Sequence, residues 1–385
     1  MANAVENNLH CSGCGVCASV CPKNAIQIKL SKEGFYTANL DKSKCVNCGL
    51  CVKVCPKFIE ETKIDFTKFP LYAVWSNNKK EQESSSSGAI AYELALWGFE
   101  NGYKIAGVIY DNTIQKAQTI LAKTKEDLIL FKGSKYLQSF SADVVKEILS
   151  LNDKVMFFGT PCQCAGLRLL ANQKGKKDLI LVDFFCHGVP SYLIWDRFIP
   201  KNTKKVSFRS KVNGWHNYSM VLDDIVINQK KNPFYTLFFS DLLLGDACYT
   251  CKAKNNFNYA DFRLGDFWGS TFDNREDGVS AVCAISKKAQ EILDLLIKNN
   301  KITAIKQNHK VCFGAQAAFR KTPKNIDFRN KLFNAFYEGK TTKEVAKIYY
   351  NNLPLKKKMF IKMKQLLPSC IKNKVHYFYS KMKGR

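Results

Sequence analysis

Long apolar runs, a hydrophobic N-terminus and acidic residues are the features that this sequence lacks or has in short supply. Across its 385 residues, no apolar run approaches the roughly 20 residues of a transmembrane helix, which argues against a helical membrane-spanning protein. Residues 1–10 contain no hydrophobic segment, so we expect no signal peptide and predict a cytoplasmic protein. The apolar fraction of 46% still allows a sizeable core, and the length fits two or three domains.

The shortage of acidic residues leaves the chain strongly basic. Lys and Arg total 59 against 33 Asp and Glu, for a net charge of +26. No recognised nucleic-acid-binding motif accompanies this charge, so we expect no nucleic-acid partner; the excess would steer an acidic redox partner or an anionic substrate. Residues 356–385 contain ten of the basic residues and no acid. We predict that residues 346–385 form a basic amphipathic tail, which either lies on an anionic membrane surface or folds back onto the body.

Cysteine, by contrast, is abundant, and its spacing indicates metal binding in a reducing compartment. The pattern C-x₂-C-x₂-C-x₃-C-P occurs twice, and this repeat is the signature of a bacterial ferredoxin with two [4Fe–4S] clusters. The fourth cysteine of each run ligates the cluster of the other run. The predicted ligands are Cys11, Cys14, Cys17 and Cys55 for one cluster, and Cys45, Cys48, Cys51 and Cys21 for the second. A zinc module or a disulfide scaffold is the alternative.

The pattern along the chain predicts a second, larger domain. Between the cysteine runs, Ile26–Leu30 and Phe35–Leu40 flank a turn and predict a β-hairpin. From residue 71 onward, strand and helix patterns alternate, which favours a mixed α/β core, including a helix over Pro233–Leu244. The predicted fold class is therefore α+β or α/β, with a bacterial-ferredoxin-like domain in front of the core. The predicted boundaries are 1–60 for the ferredoxin domain, 71–160 and 161–345 for the two parts of the core, and 346–385 for the tail.

A second set of cysteines lies in this core. Cys162 follows a predicted strand at the start of a helix, and Cys186 ends the next strand. If the two strands are parallel neighbours, both thiols emerge at carboxyl ends, where open α/β sheets bind ligands. With the C-x₂-C pair Cys248 and Cys251, they would ligate a third [4Fe–4S] cluster. A Cys₄ zinc site and a redox disulfide between Cys248 and Cys251 remain open, and Cys164 competes as a ligand.

Five short motifs in order resemble the coenzyme F420 hydrogenase/dehydrogenase beta-subunit family, with a ferredoxin domain fused in front. The motifs are Ser86-Ser87-Gly88, Gly133-Ser134-Lys135-Tyr136-Leu137-Gln138-Ser139, Gly159-Thr160-Pro161-Cys162-Gln163, Cys186-His187-Gly188-Val189-Pro190-Ser191 and Gly265-Asp266-Phe267-Trp268-Gly269. Two residues depart from the family pattern: Ala89 stands where a second glycine is usual, and Cys164 stands where an aliphatic residue is common.

The resemblance implies a flavin-binding core that carries FAD beside the third [4Fe–4S] cluster. The cofactor contacts that it implies are Ser86, Ser87, Gly88, Ser134, Lys135, Tyr136, Gln138 and Asp266. Small residues let backbone N–H groups approach a pyrophosphate, and a lysine can neutralise it. Without the resemblance, the run of serines before Gly88 is typical of a flexible loop, and Asp266 is typical of a residue that stabilises a turn.

Several polar residues are candidates for contact with a substrate. These are His187, Arg209, Lys211, His216 and Arg320, and for each the alternative is an ordinary surface or supporting side chain.

The predicted function is an iron–sulfur flavoprotein oxidoreductase that moves electrons from a ferredoxin or a redox partner subunit through the clusters to FAD. FAD would pass them as hydride to a small organic acceptor, either a deazaflavin or a surface-polysaccharide or sugar precursor, and the flow could run backwards. The alternative is a non-catalytic electron-transfer subunit of a larger redox complex.

Overall fold

The structure is a computed structural model that describes residues 3–5, 10–60, 65, 68–316 and 325–366, with the side chains of 360 and 362–366 left out. The N-terminal module holds two short helices and a hairpin: α1 (Val16–Val20), β1 (Ile26–Leu30), β2 (Tyr36–Leu40) and α2 (Leu50–Lys53). The antiparallel β1–β2 pairing confirms the predicted hairpin. Both helices begin after a glycine in the left-handed region, Gly15 (φ 82°) and Gly49 (φ 73°), so the chain can turn sharply between successive cysteines.

A mixed sheet of eight strands forms the centre of the larger domain. Its strands are β3 Leu71–Ser76, β4 Lys104–Asp111, β5 Lys116–Leu121, β6 Val155–Phe158, β7 Leu179–Phe184, β11 Phe262–Asp266, β12 Ser280–Ala284 and β13 Ile302–Lys306. They lie in the order β13-β3-β12-β11-β7-β6-β4-β5. Four of these strands, β4, β6, β7 and β11, run parallel to their neighbours in that group, and the other pairings are antiparallel. The carboxyl ends of β6, β7 and β11 therefore lie at one edge of the sheet.

Helices cover the sheet and bury its apolar side chains. The helices between strands of the large sheet are α3 Lys79–Ser84, α4 Ile90–Glu100, α5 Ala142–Ser150, α6 Pro161–Lys174 and α11 Lys287–Lys298, and α12 His309–Ala315 follows β13. Helices α5 and α6 also pack on α1, and one apolar cluster includes side chains from both modules, such as Val16, Val54 and Leu167. The ferredoxin-like module is thus joined to the sheet by a shared core.

A smaller antiparallel sheet and a group of helices complete the domain. The sheet has the order β10-β9-β8, with β8 at Val206–Ser210, β9 at Ser219–Leu222 and β10 at Ile225–Asn228. The remaining helices are α7 Tyr192–Asp196, α8 Pro233–Phe238, α9 Asp246–Tyr249, α10 Lys252–Asn255, α13 Ile326–Tyr337, α14 Thr342–Asn351 and α15 Leu355–Leu366. This arrangement confirms the predicted class, a mixed α/β domain behind a ferredoxin-like module.

Two segments differ from the sequence prediction. The helix predicted over Pro233–Leu244 ends at Phe238, because Asp241 adopts a left-handed backbone (φ 66°) and Leu244 then pairs with Pro190. Arg329 on α13 donates to the carbonyl oxygens of Leu242 and Leu244, so a distant residue stabilises the extended chain.

The predicted start of the tail at residue 346 falls inside α14, whose Val345 and Tyr349 are buried in the core of the smaller sheet. Helix α15 lies within the predicted tail, and its Leu355 and Met359 are exposed. The rest of the tail, from 367 to 385, lies outside the described residues, so membrane contact stays a prediction. None of the helices in the described part of the chain is both long and apolar enough to span a bilayer.

Candidate redox site

The cysteines of the ferredoxin-like module line two small cavities. One cavity of about 30 Å³ is lined by Cys11, Cys14, Cys17 and Cys55, and the other, of about 20 Å³, by Cys21, Cys45, Cys48 and Cys51. In each set, the fourth thiol comes from the other cysteine run, which is the exchange expected of a two-cluster ferredoxin. Backbone amides also face the sulfurs: Ala38 N–H donates to Cys11 Sγ at 3.4 Å, and Ala25 N–H donates to Cys21 Sγ at 3.3 Å. The residues present therefore fit two iron–sulfur clusters.

A third cavity, of about 520 Å³, lies between the module and the large sheet, and we call it the cysteine cavity. Its lining includes Cys162, Cys186, Cys248 and Cys251, together with Cys11 of the module. Burial raises the pKa of Cys162 well above its usual range, and the nearby thiols of Cys251, Cys186 and Cys248 raise it further. The four thiols therefore form one group, and such a ligand set fits either a [4Fe–4S] cluster or a single zinc ion.

Local structure positions these thiols. Thr160 caps α6 with a capping box, which places Cys162 in the first helical turn with Thr160 Oγ1 3.1 Å from its Sγ. Cys186 follows β7, and the parallel pairing of β6 with β7 confirms that the two strands are neighbours. Val189 N–H donates to Cys248 Sγ at 3.4 Å. Burial raises the pKa of Cys186 to about 12, with Cys248 and Cys251 adding to the rise, so a bound cation would have to displace protons from this site.

An ion pair that the sequence analysis missed supports the loop of Cys248 and Cys251. Arg263 on β11 donates to both carboxylate oxygens of Asp183 on β7 at 2.7 and 2.6 Å, and both side chains are almost fully buried. The same guanidinium donates to the carbonyl oxygens of Lys254 and Ala253, in the helix that follows Cys251. Arg263 lies between the apolar residues Phe262 and Leu264 of β11, and a charged residue in such a position is the signal that could have indicated this role.

The other cysteines of the larger domain lie elsewhere. Cys164, two residues after Cys162, points into the apolar core, where its thiol lies 3.8 Å from the Val182 carbonyl oxygen. Cys283 and Cys312 are fully buried among apolar side chains. Cys370 lies outside the described residues.

A fourth cavity, of about 430 Å³, adjoins the cysteine cavity, and we call it the serine-loop cavity after Ser85–Ser87 in its wall. Its lining also includes 133–137, the N-terminal end of α4, and the aromatic side chains Tyr218, Phe238, Phe239 and Trp268. Three buried polar atoms of the residues that line this region have no hydrogen-bond partner among the described residues, namely Ser85 Oγ and Arg209 Nε and Nη2. Aromatic walls, unpaired donors and a helix N-terminus together fit a cofactor with a flat ring system and phosphates, as FAD has.

Six of the predicted cofactor residues line the serine-loop cavity, namely Ser86, Ser87, Ser134, Lys135, Tyr136 and Asp266. Ser134 N–H donates to Ser86 Oγ at 2.9 Å, so the two loops are joined. Burial raises the pKa of the Tyr136 phenol, consistent with an apolar wall. Lys135 is half-buried, and burial lowers the pKa of its ammonium group to about 7.

The structure places Gly88 and Gln138 differently from the sequence prediction. A Cβ atom at Gly88 would lie 2.2 Å from the Val74 carbonyl oxygen, so the glycine allows contact with β3 and does not line the cavity. Gln138 lines the cysteine cavity instead, where its amide donates to the carbonyl oxygens of Ser12 and Tyr36 and accepts from Tyr36 N–H.

The substrate-contact candidates divide into two groups. His187 and Arg209 line the serine-loop cavity. Lys211 and His216 do not: Lys211 Nζ donates to backbone carbonyls, including that of Ser87 at 3.0 Å, and His216 Nε2 lies 3.2 Å from the Phe272 carbonyl oxygen. His187 Nε2 lies 2.6 Å from Asp241 Oδ1, in an orientation that does not satisfy either atom as a hydrogen bond. Arg320 lies outside the described residues.

The first ferredoxin cavity, the cysteine cavity and the serine-loop cavity share lining residues and form a connected series. Cys11 lines both the first ferredoxin cavity and the cysteine cavity. The cysteine and serine-loop cavities share five lining residues, which are Ser139, Thr160, Gln163, Cys186 and Val189. These three cavities therefore adjoin one another between the ferredoxin-like module and the serine loop.

Comparisons with known protein families define the class of this protein. Residues 10–59 match the model of the 4Fe-4S dicluster domain, and residues 152–310 match the model of the C terminus of the beta subunit of coenzyme F420 hydrogenase/dehydrogenase. The chain is an iron–sulfur protein with a dicluster module at its N-terminus. Behind that module, it carries the C-terminal domain of the coenzyme F420 hydrogenase/dehydrogenase beta subunits and is related to them, which confirms the resemblance.

Individual relatives are distant. The F subunit of the F(420)H(2) dehydrogenase of Methanosarcina mazei is 23% identical over 275 residues, which cover 64% of this chain and 77% of that protein. A solved chain of the F420-reducing [NiFe] hydrogenase complex from Methanosarcina barkeri superposes with a TM-score of 0.48 and 15% identity, over 73% of this chain and 90% of that chain.

Proposed function

We propose that this protein is an iron–sulfur flavoprotein oxidoreductase that joins a one-electron carrier to a small organic hydride acceptor. The observation that carries the proposal is the connected series of cavities, in which Cys186 lines both the cysteine cavity and the serine-loop cavity. When bound, [4Fe–4S] clusters would transfer single electrons, and FAD would exchange electron pairs as hydride.

Each part of the chain has a definite task in this proposal. The two cysteine runs hold the dicluster, and Cys162, Cys186, Cys248 and Cys251 hold a third cluster. The Arg263–Asp183 pair keeps the Cys248 loop against the sheet. Ser86, Ser134 and the N-terminal end of α4 present polar groups toward FAD phosphates, with Lys135 beside them as a cation.

A serine substitution at Cys248 tests the third cluster. We expect Cys248→Ser to lose about four irons per chain, because one of four thiolate ligands is removed, while the dicluster remains. Cys164→Ser is the matched control, since this thiol lies on the same segment as Cys162 but points into the core. Iron, acid-labile sulfide and flavin are measured after anaerobic purification.

Three results would count against the proposal. Unchanged iron content in Cys248→Ser, with zinc in the wild-type protein, would replace the third cluster by a zinc site. Equal losses of iron from Cys164→Ser and Cys248→Ser would show that the substitutions disturb folding and do not remove a cluster ligand. A wild-type protein that retains no flavin after reconstitution with FAD would leave only the alternative, a subunit that relays electrons without reacting with a small molecule.

A further inference from the structure

Arg209 on β8 is buried at the wall of the serine-loop cavity, and its side chain is only 3% exposed. The Nη1 atom donates to a carboxylate oxygen of Asp266, whereas Nε and Nη2 make no hydrogen bond to any of the residues that the structure describes. These two nitrogens form one edge of the planar guanidinium group, and this edge matches two oxygens of a carboxylate or a phosphate.

The surroundings hold this edge in a fixed orientation. The guanidinium carbon lies 4.7 Å from the ring centre of Tyr218 and 5.1 Å from that of Trp268. Its partner Asp266 is held in turn, because Trp215 Nε1 donates to Oδ1 at 2.9 Å and Gln316 donates to the Asp266 carbonyl oxygen. The Tyr136 hydroxyl also lies beside the guanidinium, and the charge of Arg209 together with a hydrogen-bonding contact to it opposes the rise of the Tyr136 pKa caused by burial. Among the described residues, no atom accepts a well-aligned hydrogen bond from Nε or Nη2. The free edge is therefore preorganised.

The charges around the cavity favour an anion. Both acidic residues in its wall are already paired, Asp183 with Arg263 and Asp266 with Arg209. Lys135 faces the same cavity, and its ammonium group donates to the carbonyl oxygens of Leu130 and Lys132. Buried donors of a charged group are costly when they lack acceptors, so an anionic ligand would satisfy Arg209 and offset the excess of positive charge.

We propose that the Nε–Nη2 edge of Arg209 binds two oxygens of an anionic group on a molecule in the serine-loop cavity. This inference rests on the proposed function for the nature of that molecule. The group belongs either to the phosphates of FAD or to a carboxylate or phosphate on the hydride acceptor. In the second case, the acceptor is an acidic compound and a neutral sugar is excluded.

Substitution of Arg209 by lysine separates the two sources. Arg209→Lys keeps the charge but loses the paired donors, so anion affinity should fall by about tenfold or more. FAD, riboflavin and inorganic pyrophosphate are titrated calorimetrically into flavin-free protein, and inorganic phosphate into FAD-loaded protein. Weaker binding of FAD and pyrophosphate with unchanged riboflavin binding assigns the edge to FAD. Weaker binding of phosphate by the FAD-loaded protein alone assigns it to the acceptor.

Arg275→Lys is the matched control, because Arg275 also pairs with a carboxylate, that of Asp277, and packs over Trp75, but does not line the cavity. Its titrations should equal those of the wild-type protein. Equal anion affinities in Arg209→Lys and wild type would overturn the inference, even where the wild type binds FAD.

The wild-type protein gives a second measurement if Arg209→Lys does not fold. Absence of pyrophosphate binding without flavin, together with absence of phosphate binding with FAD, would also overturn the inference. Failure of the proposed function has a different signature, namely a wild-type protein that takes up no FAD.

Discussion

Lys135 is a cation placed where an apolar wall would be expected. Its ammonium group donates to the carbonyl oxygens of Leu130 and Lys132 at 2.9 and 2.7 Å, and no carboxylate in the described part of the chain pairs with it. Burial lowers its pKa to about 7, against about 10.4 for a free lysine. A bound phosphate would restore the charge, so the cost of enclosing this lysine is a reason to expect an anion near it.

This depressed pKa predicts a pH dependence of stability in the flavin-free protein. Between about pH 7 and about pH 10.4, the unfolded chain binds a proton at Lys135 that the folded chain lacks, so the free energy of unfolding rises with pH. Burial also lowers the pKa of Lys211, to about 8, and this acts in the same direction. We expect Lys135→Met to unfold at a higher urea concentration than the wild-type protein near pH 7. The free energy of unfolding of this variant should also rise less steeply with pH.

Urea unfolding at a series of pH values measures this effect. Lys298→Met, on the exposed face of α11, is the control and should follow the wild-type curve. If Lys135→Met follows the wild-type curve as well, the ammonium group is not desolvated in solution.

Neighbouring small residues in the serine loop have separate structural reasons. Gly88 has no space for a Cβ because the Val74 carbonyl oxygen lies against it. Ala89 begins α4 with a left-handed backbone (φ 68°), a conformation that favours glycine. This explains physically why a second glycine is usual at this point in the family motif.

At the scale of elements, Gln138 joins the ferredoxin-like module to the sheet domain. Its buried side-chain amide accepts a hydrogen bond from the Tyr36 backbone N–H and donates to the carbonyl oxygens of Tyr36 and Ser12. Ser141 adds a hydrogen bond from its hydroxyl to the Cys14 carbonyl oxygen at 3.1 Å. These contacts fix the distance between the first ferredoxin cavity and the cysteine cavity.

Gln138→Leu should therefore loosen the junction and leave the clusters in place. It removes the partners of three partly buried backbone groups, at a cost of up to about 1–3 kcal/mol for each group that water cannot reach. We expect faster hydrogen exchange in β2 and slower flavin reduction by dithionite-reduced clusters, with wild-type iron content. Gln290→Leu is the control, because Gln290 bonds to Asp294 on its own helix and to the Tyr72 hydroxyl on β3, and neither residue contacts the described part of the ferredoxin-like module. Unchanged exchange in β2 would show that the shared apolar core holds the module without this residue.

At the scale of the whole molecule, the second ferredoxin cavity lies nearest to solvent. Of its thiols, Cys48 is exposed and Cys21 and Cys45 are half-buried, whereas Cys14 and Cys17 of the first cavity are buried. Exposed lysines lie near the cysteines of this cavity in sequence, namely Lys23, Lys42, Lys44 and Lys53, and Lys23 lines the cavity itself. Asp41 is the acidic residue among them and pairs with Lys44 at 3.1 Å. This basic surface is where we expect an acidic carrier to deliver electrons.

Charge reversal tests this expectation. The double variant Lys23→Glu/Lys42→Glu should slow reduction by an acidic ferredoxin about tenfold or more at low salt, and raising the salt should reduce the difference. Lys287→Glu/Lys288→Glu on α11 changes the net charge equally on another face and is the control. Stopped-flow absorbance measures the rates. Equal slowing by both variants would mean that net charge, and not this surface, controls the encounter.

Part of the site could be predicted from sequence because its ligands are close in the chain. The C-x₂-C spacings determine which loops surround a cluster, and the hairpin follows from a turn between two apolar segments. The structure places the two predicted ferredoxin ligand sets in two separate cavities. The alternation of strands and helices likewise determined the fold class.

Tertiary structure decided everything that depends on the order of strands in the sheet. Gln138 was predicted at the flavin and lies at the module junction, while Lys211 and His216 turn toward backbone carbonyls. Arg263 and Asp183 meet because β11 lies beside β7, although 80 residues separate them. A motif specifies local backbone geometry, but the partner of a buried charge is set by which strand lies next to it, and that order results from the packing of the whole core.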